Sequence, residues 1–163
     1  MIIGFCAEKQ SVCQNFVSLY GYECVARCIE DGFDMDVLTF RDYCLSLPFT
    51  EECTPFDETT LVYKVGGRMY AFADMVDFCR VALKCDPDEA LQLRERYPRE
   101  ITPAYHANKR LWNDVRTTGD LPDAFIREQI RNSYLLVLRQ NVTPRALCDE
   151  LLAYVEVHGI PEK

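Results

Sequence analysis

Apolar residues recur at helical spacing in four stretches of the chain, and each stretch opens with a typical helix-start signal. The first runs from Asp36, a good N-cap, to Pro48, which ends it. The second opens at Asp86-Pro87 and stops near Tyr97. Two longer stretches complete the prediction: from Asp120 and Pro122 to about Arg139, and from Thr143-Pro144 to about Gly159.

Strand-like runs lie between the first and third predicted helices. Thr59–Val65 and Arg68–Asp74 are rich in β-branched and aromatic residues and are separated by Gly66-Gly67. Two glycines tolerate the positive φ angles of a tight turn, so the three pieces predict a β-hairpin. Phe78–Lys84 alternates in polarity, which predicts a strand with one buried face.

Weaker patterns fill the remaining connections. Ile101–Tyr105 and Leu111–Thr117 indicate two short strands, and residues 49–58 read as a polar loop. Hairpin-linked strands together with clustered helices are typical of an α+β fold. We therefore predict an antiparallel β-sheet with helices packed mainly on one face.

The first 34 residues differ in composition from the rest. They contain four of the nine cysteines and only two basic residues, Lys9 and Arg27. We expect residues 1–34 to be a weakly specified N-terminal extension that is helical, disordered or not part of the native protein. A single domain is expected over residues 35–163.

Overall composition is that of a cytoplasmic globular protein. Apolar residues make up 48% of the chain, and no run approaches the roughly 18 apolar residues of a membrane helix. The cysteines lack zinc-site spacing and only two histidines are present, so reduced thiols and no metal or cofactor are expected. The formal net charge of −8 disfavours binding to anionic lipid or nucleic acid except through a local basic patch. Composition leaves the oligomeric state open.

One basic concentration stands out against this acidic background. Between Arg94 and Arg116 the chain carries six basic and three acidic residues. Tyr105, His106 and Trp112, the only tryptophan, are interleaved with them, and cations beside aromatic rings suit phosphates and bases. The alternative is a solvated amphipathic stretch with Trp112 in the core.

No motif for catalysis accompanies His106. A general base needs a nucleophile or second acid, and the chain has no Gly-x-Ser-x-Gly, P-loop or His-Glu-x-x-His pattern. The acids around 51–58 and those at Asp74 and Asp77 read as solvated loops rather than a cation site. We therefore expect a binding protein and not an enzyme.

Six blocks of sequence stand out between about Met35 and Arg139. Five of them are Tyr43-Cys-Leu-Ser-Leu-Pro48, Pro55–Tyr70, Leu83-Lys-Cys-Asp-Pro87, Gly119-Asp-Leu-Pro122 and Ser133-Tyr134. The sixth, which has the most polar character, spans Tyr105 to Asn113 and coincides with the basic–aromatic concentration. In their order and spacing these blocks resemble the MmcQ/YjbR family.

This resemblance implies a CyaY-like fold, related to that of type III secretion chaperones, and a DNA-binding function through a double-wing arrangement. The expected contacts with nucleic acid or another ligand are Arg68, Tyr105, His106, Asn108, Lys109, Arg110, Trp112 and Asn113. Two alternatives stay open: a protein- or peptide-binding adaptor, and a small-molecule binder or enzyme centred on His106. Residues 35–163 carry a net charge of −5, which weighs against DNA.

Overall fold

A computed structural model describes residues 35–161; the expectations for residues 1–34 lie outside this range. Each predicted helix within it is confirmed. Asp36 caps α1 by accepting a hydrogen bond from the Thr39 backbone N–H at 2.6 Å, and Asp86 caps α2 in the same way through Asp88. The helices are α1 Val37–Ser46, α2 Pro87–Arg96, α3 Asp123–Gln140 and α4 Arg145–His158.

Six strands form one sheet in the order β1-β2-β3-β4-β6-β5, and every neighbouring pair is antiparallel. The predicted hairpin turns at Gly66 and Gly67, whose φ angles are +55° and +74°. The α+β prediction is therefore confirmed. The strands are β1 Thr50–Cys53, β2 Thr60–Val65, β3 Arg68–Asp74, β4 Arg80–Lys84, β5 Ile101–Pro103 and β6 Trp112–Arg116.

The prediction of a polar loop over residues 49–58 is wrong in its first half, which forms the edge strand β1. Its sequence, Thr-Glu-Glu-Cys, lacks the apolar alternation that marks a half-buried strand. Pairing with β2 and the contacts of Glu52 stabilise it instead. That carboxylate accepts hydrogen bonds from Arg41 at 2.8 and 2.9 Å and from the buried Tyr63 hydroxyl at 3.0 Å.

The two faces of the sheet differ in what covers them. One face packs against the helices around Tyr63, Tyr70 and Tyr134. There Ser133 donates a hydrogen bond to the Tyr70 carbonyl at 2.6 Å, which fastens α3 to β3. On the other face, here called the open face, a separate small cluster of Ala82, Ala104 and Trp112 contains no helix residue. No described helix is long and apolar enough to span a membrane.

Candidate functional site

A groove with a volume of about 880 Å³ lies on the open face. Its floor is formed by the side chains that β3, β4 and β6 direct away from the helices. Phe72 pairs with Ala82 across β3 and β4, and the rings of Phe72 and Trp112 lie 5.4 Å apart between centroids. Met69 packs against the same cluster. The floor is thus apolar and largely aromatic.

Two exposed aromatic residues stand at opposite sides of this floor. Phe56, in the β1–β2 connection, is 64% exposed, and Tyr105, in the β5–β6 loop, is 77% exposed. Adjacent strands are roughly 4.8 Å apart, so β2 and β6, three places apart in the sheet, are separated by about 14 Å. Large exposed aromatic side chains that border a concave apolar surface are typical of interaction sites.

The loop that carries Tyr105 is held in place from the helix side of the sheet. Arg94 of α2 donates one hydrogen bond to the Lys109 carbonyl at 2.5 Å and another to the Trp112 carbonyl at 3.2 Å. Its Nε donates to Oδ1 of Asn113 at 2.7 Å. The Asn108 side chain accepts from the Arg110 backbone N–H at 3.0 Å and shapes the turn. Arg94 therefore fixes the position of this loop, residues 104–111, here called the wall of the groove, relative to β6.

One carboxylate, that of Asp114, lies in the groove between its wall and its floor. Its Oδ2 accepts a hydrogen bond from the Tyr105 backbone N–H at 3.2 Å. Burial raises the pKa of Asp114, while that hydrogen bond and the charges of Arg80 and His106 lower it. Because burial is the largest of these effects, the ionised carboxylate is incompletely solvated within the protein.

Two other carboxylates of the groove are already engaged in local turns. Asp57 accepts hydrogen bonds from the Thr60 hydroxyl and from the backbone N–H groups of Thr60 and Thr59, and these bonds lower its pKa. Asp74 accepts from the backbone N–H groups that follow it, at Val76 and Asp77. These hydrogen bonds stabilise the two local turns. Across residues 35–161 no group of three or more metal-ligating side chains is assembled.

The structure brings together half of the residues predicted to bind a ligand. Tyr105, His106, Asn108 and Trp112 all line the groove, and the His106 ring packs edge-on against Tyr105 at 4.7 Å. Lys109 belongs to the same loop; it is exposed and does not line the groove. The same holds for its neighbour Arg110.

Two further predicted residues are placed elsewhere. Asn113 points to the helix side, where it is 2% exposed, bonds to Arg94 and borders a small cavity of about 20 Å³. Arg68 extends from the hairpin to the α3–α4 connection and donates to the Thr143 hydroxyl at 3.2 Å. Neither side chain lines the groove.

Sequence reasoning missed Phe56, Phe72 and Asp114 as parts of the site. Phe72 and Asp114 share the outward register of β3 and β6 with Trp112, so strand alternation combined with the correct strand order would have indicated them. The strand order places β6 beside β4, and it does not follow from local patterns. No local signal marks Phe56, because its position depends on the β1–β2 connection.

Comparisons with known proteins agree on the relatives of this chain. A protein-family model described as YjbR matches residues 45–136. The uncharacterized protein YbdF of Escherichia coli O157:H7 is 34% identical over 101 residues, 61% of this chain and 82% of its own length. The crystal structure of Deinococcus radiodurans DR2400, with a DUF419 domain, is 36% identical, with a TM-score of 0.67 over 83% of this chain and 95% of DR2400.

A more distant structure shares the fold alone. This protein from Pseudomonas syringae is 24% identical, with a TM-score of 0.52 over 63% of this chain and 98% of its own chain. The descriptions of these three proteins give no ligand or activity.

Proposed function

The chain belongs to the YjbR family, and we propose that it binds an extended peptide segment of a protein partner in the groove of the open face. The observation that carries the proposal is the apolar floor of Phe72 and Trp112 between two exposed aromatic residues, Phe56 and Tyr105. Buried aromatic contacts of this kind supply most of the binding energy in small interfaces.

The dimensions of the groove suit a short stretch of chain. About 14 Å separates β2 from β6, and an extended peptide advances by roughly 3.3 Å per residue, so about four residues would cross the floor. A segment of that length would place side chains alternately toward the floor and toward solvent.

The groove's reactive side chains support binding rather than catalysis. His106 is exposed and packs edge-on against Tyr105, and among the described residues no hydroxyl or thiol is hydrogen-bonded to its ring. Cys79 lines the groove, but burial and the neighbouring Asp77 raise its pKa. A thiol with a raised pKa is a poor nucleophile because little thiolate is present at neutral pH.

Selection from a random twelve-residue peptide library on the immobilised full chain tests the proposal. We expect enriched peptides that bind the wild type and lose about tenfold or more in affinity when Phe56 and Tyr105 are both replaced by alanine. Val157→Ala is the matched control, since this apolar residue of α4 is 78% exposed and does not line the groove. Failure to enrich any peptide, or equal losses in both variants, contradicts the proposal.

Nucleic-acid binding is the second candidate function. It is favoured by the exposed pair Lys109 and Arg110, which form no ion pair with a described carboxylate, and by their neighbour Tyr105. Four carboxylates and one guanidinium line the adjacent groove, which repels phosphate. A mobility-shift titration at low salt tests this candidate. Binding of duplex or single strand that is lost in Lys109→Ala/Arg110→Ala would support it, and no shift would exclude it.

A further inference from the structure

We infer that the segment bound in the groove presents a basic side chain, arginine or lysine, which lies against the Phe72–Trp112 floor and donates hydrogen bonds to Asp114. This inference deepens the proposed function and rests on it. The partner segment is thus basic, and Asp114 is the residue that selects for it.

The Asp114 carboxylate is placed in the groove with acceptor capacity to spare. It projects from β6 on the same face as Trp112 and is the next residue of the strand on that face. A carboxylate has about four acceptor sites, and the Tyr105 backbone N–H occupies one of them. The two ion pairs of residues 35–161 are Arg41–Glu52 and Arg145–Asp149, so Asp114 has no cation within 4.0 Å.

The floor beside this carboxylate suits the aliphatic stem and charged head of a basic side chain. Phe72 and Trp112 form a tilted aromatic pair. Trp112 is only 7% exposed, so the half-buried Phe72 ring presents most of the accessible aromatic surface. The face of an aromatic ring attracts a guanidinium or ammonium group. The aliphatic stem of arginine or lysine also covers apolar surface while its charged head reaches a polar group. A basic side chain thus satisfies the floor and Asp114 at once, which an acidic or purely apolar side chain does not.

The charge around the groove is negative. The lining contains Asp57, Asp74, Asp77 and Asp114 against the single guanidinium of Arg80. The whole chain carries a formal net charge of −8. A basic segment is attracted by this field, and an acidic segment is repelled by it. The raised pKa of Asp114 agrees with this arrangement, because an incoming cation would compensate the partly buried charge.

Peptides selected on the wild type and on Asp114→Asn test the inference. Asparagine keeps an oxygen acceptor for the Tyr105 N–H and removes the charge. We expect arginine or lysine at one fixed position of the wild-type peptides and no such preference on Asp114→Asn. Asp120→Asn is the control, since it removes an equal charge at an exposed position that does not line the groove.

A second measurement uses the unmodified protein and so does not depend on the folding of a variant. Replacing the selected arginine by citrulline, which is neutral and close in shape, should weaken binding by about tenfold or more. Peptides that bind the groove without a basic preference, or whose preference survives in Asp114→Asn, would overturn the inference and leave the proposed function standing. If no peptide binds, the proposed function itself fails.

Discussion

The backbone N–H of Tyr105 donates a hydrogen bond to Oδ2 of Asp114 at 3.2 Å, and this contact joins the wall of the groove to its floor. Tyr105 is 77% exposed, whereas Asp114 is partly buried. The same loop is fastened from the helix side by Arg94. The exposed ring of Tyr105 thus lies on a loop whose backbone is hydrogen-bonded near its start and near its end. This order in the free protein limits the conformational entropy lost when a partner binds.

Removing Arg94 should loosen this wall. Arg94→Ala deletes hydrogen bonds to the Lys109 and Trp112 carbonyls and to the Asn113 side chain, at a cost of about 1–3 kcal/mol in the free energy of unfolding. Amide hydrogen exchange across residues 105–111 should accelerate more than in β2 and β3. Arg99→Ala, at an exposed position, is the control. Unchanged exchange in this loop would show that Arg94 does not position it.

Replacing Asp114 by asparagine should not lower the stability of the fold at neutral pH. The folded-state pKa of Asp114 lies above its ordinary value of 3.8, so ionisation is less favourable in the folded protein than in the unfolded chain. Its contribution to stability is complete below 3.8 and is lost as the pH rises through the folded-state pKa. Asp114→Asn should therefore be at least as stable as the wild type at neutral pH.

This stability difference should shrink as the pH falls toward the ordinary pKa of the carboxyl. Denaturant unfolding at about pH 7 and about pH 4 measures it, with Asp120→Asn as the control for charge. A variant that is less stable than the wild type at neutral pH would contradict this account. It would mean that the ionised carboxylate stabilises the wall more than its burial costs.

The edge strand β1 should depend on one of its two adjacent glutamates. Glu52→Ala leaves the buried Tyr63 hydroxyl without its acceptor and removes two hydrogen bonds from Arg41, so we expect a loss of about 1–3 kcal/mol in unfolding free energy. Glu51→Ala, at the exposed neighbouring position, should change it by less than about 0.5 kcal/mol. Urea unfolding distinguishes the two, and equal effects would refute the role given to Glu52.

The hairpin offers a matched pair of glycines. Both Gly66 and Gly67 have positive φ angles, so alanine is strained by about 1–2 kcal/mol at either position. Only at Gly66 would the added Cβ also meet the Val142 side chain, at 2.7 Å. Gly66→Ala should therefore destabilise the fold more than Gly67→Ala in thermal unfolding. Equal destabilisation would show that Val142 moves aside without cost, and the reverse order would contradict the prediction.

Local signals in the sequence were sufficient for most of the fold. Asp36 and Asp86 cap their helices as predicted, and Gly66-Gly67 turns the hairpin, because these features depend on residues close together in the chain. The strand at Thr50–Cys53 was not predictable in this way. It is stabilised by pairing with β2 and by the contacts of Glu52 with Arg41 and Tyr63, eleven positions away on either side.

The candidate site was only partly predictable for the same reason. The basic–aromatic concentration led to Tyr105, His106, Asn108 and Trp112, which lie in one loop and the strand that follows it. Phe72 and Phe56 reach the groove through the pairing of β3 with β4 and through the β1–β2 connection. The opposite orientations of Asn113 and Asp114 follow from strand alternation once β6 is placed in the sheet.

The indole N–H of Trp112 offers the most direct test of the peptide-binding groove, because it is the only tryptophan and lies in the floor. A peptide selected on the protein should shift this NMR signal in a saturable titration. The shift should require about tenfold more peptide in Phe56→Ala/Tyr105→Ala and should be unchanged in Val157→Ala. A bound peptide that leaves the Trp112 signal unmoved, or that is weakened equally by Val157→Ala, would place the binding site elsewhere on the molecule.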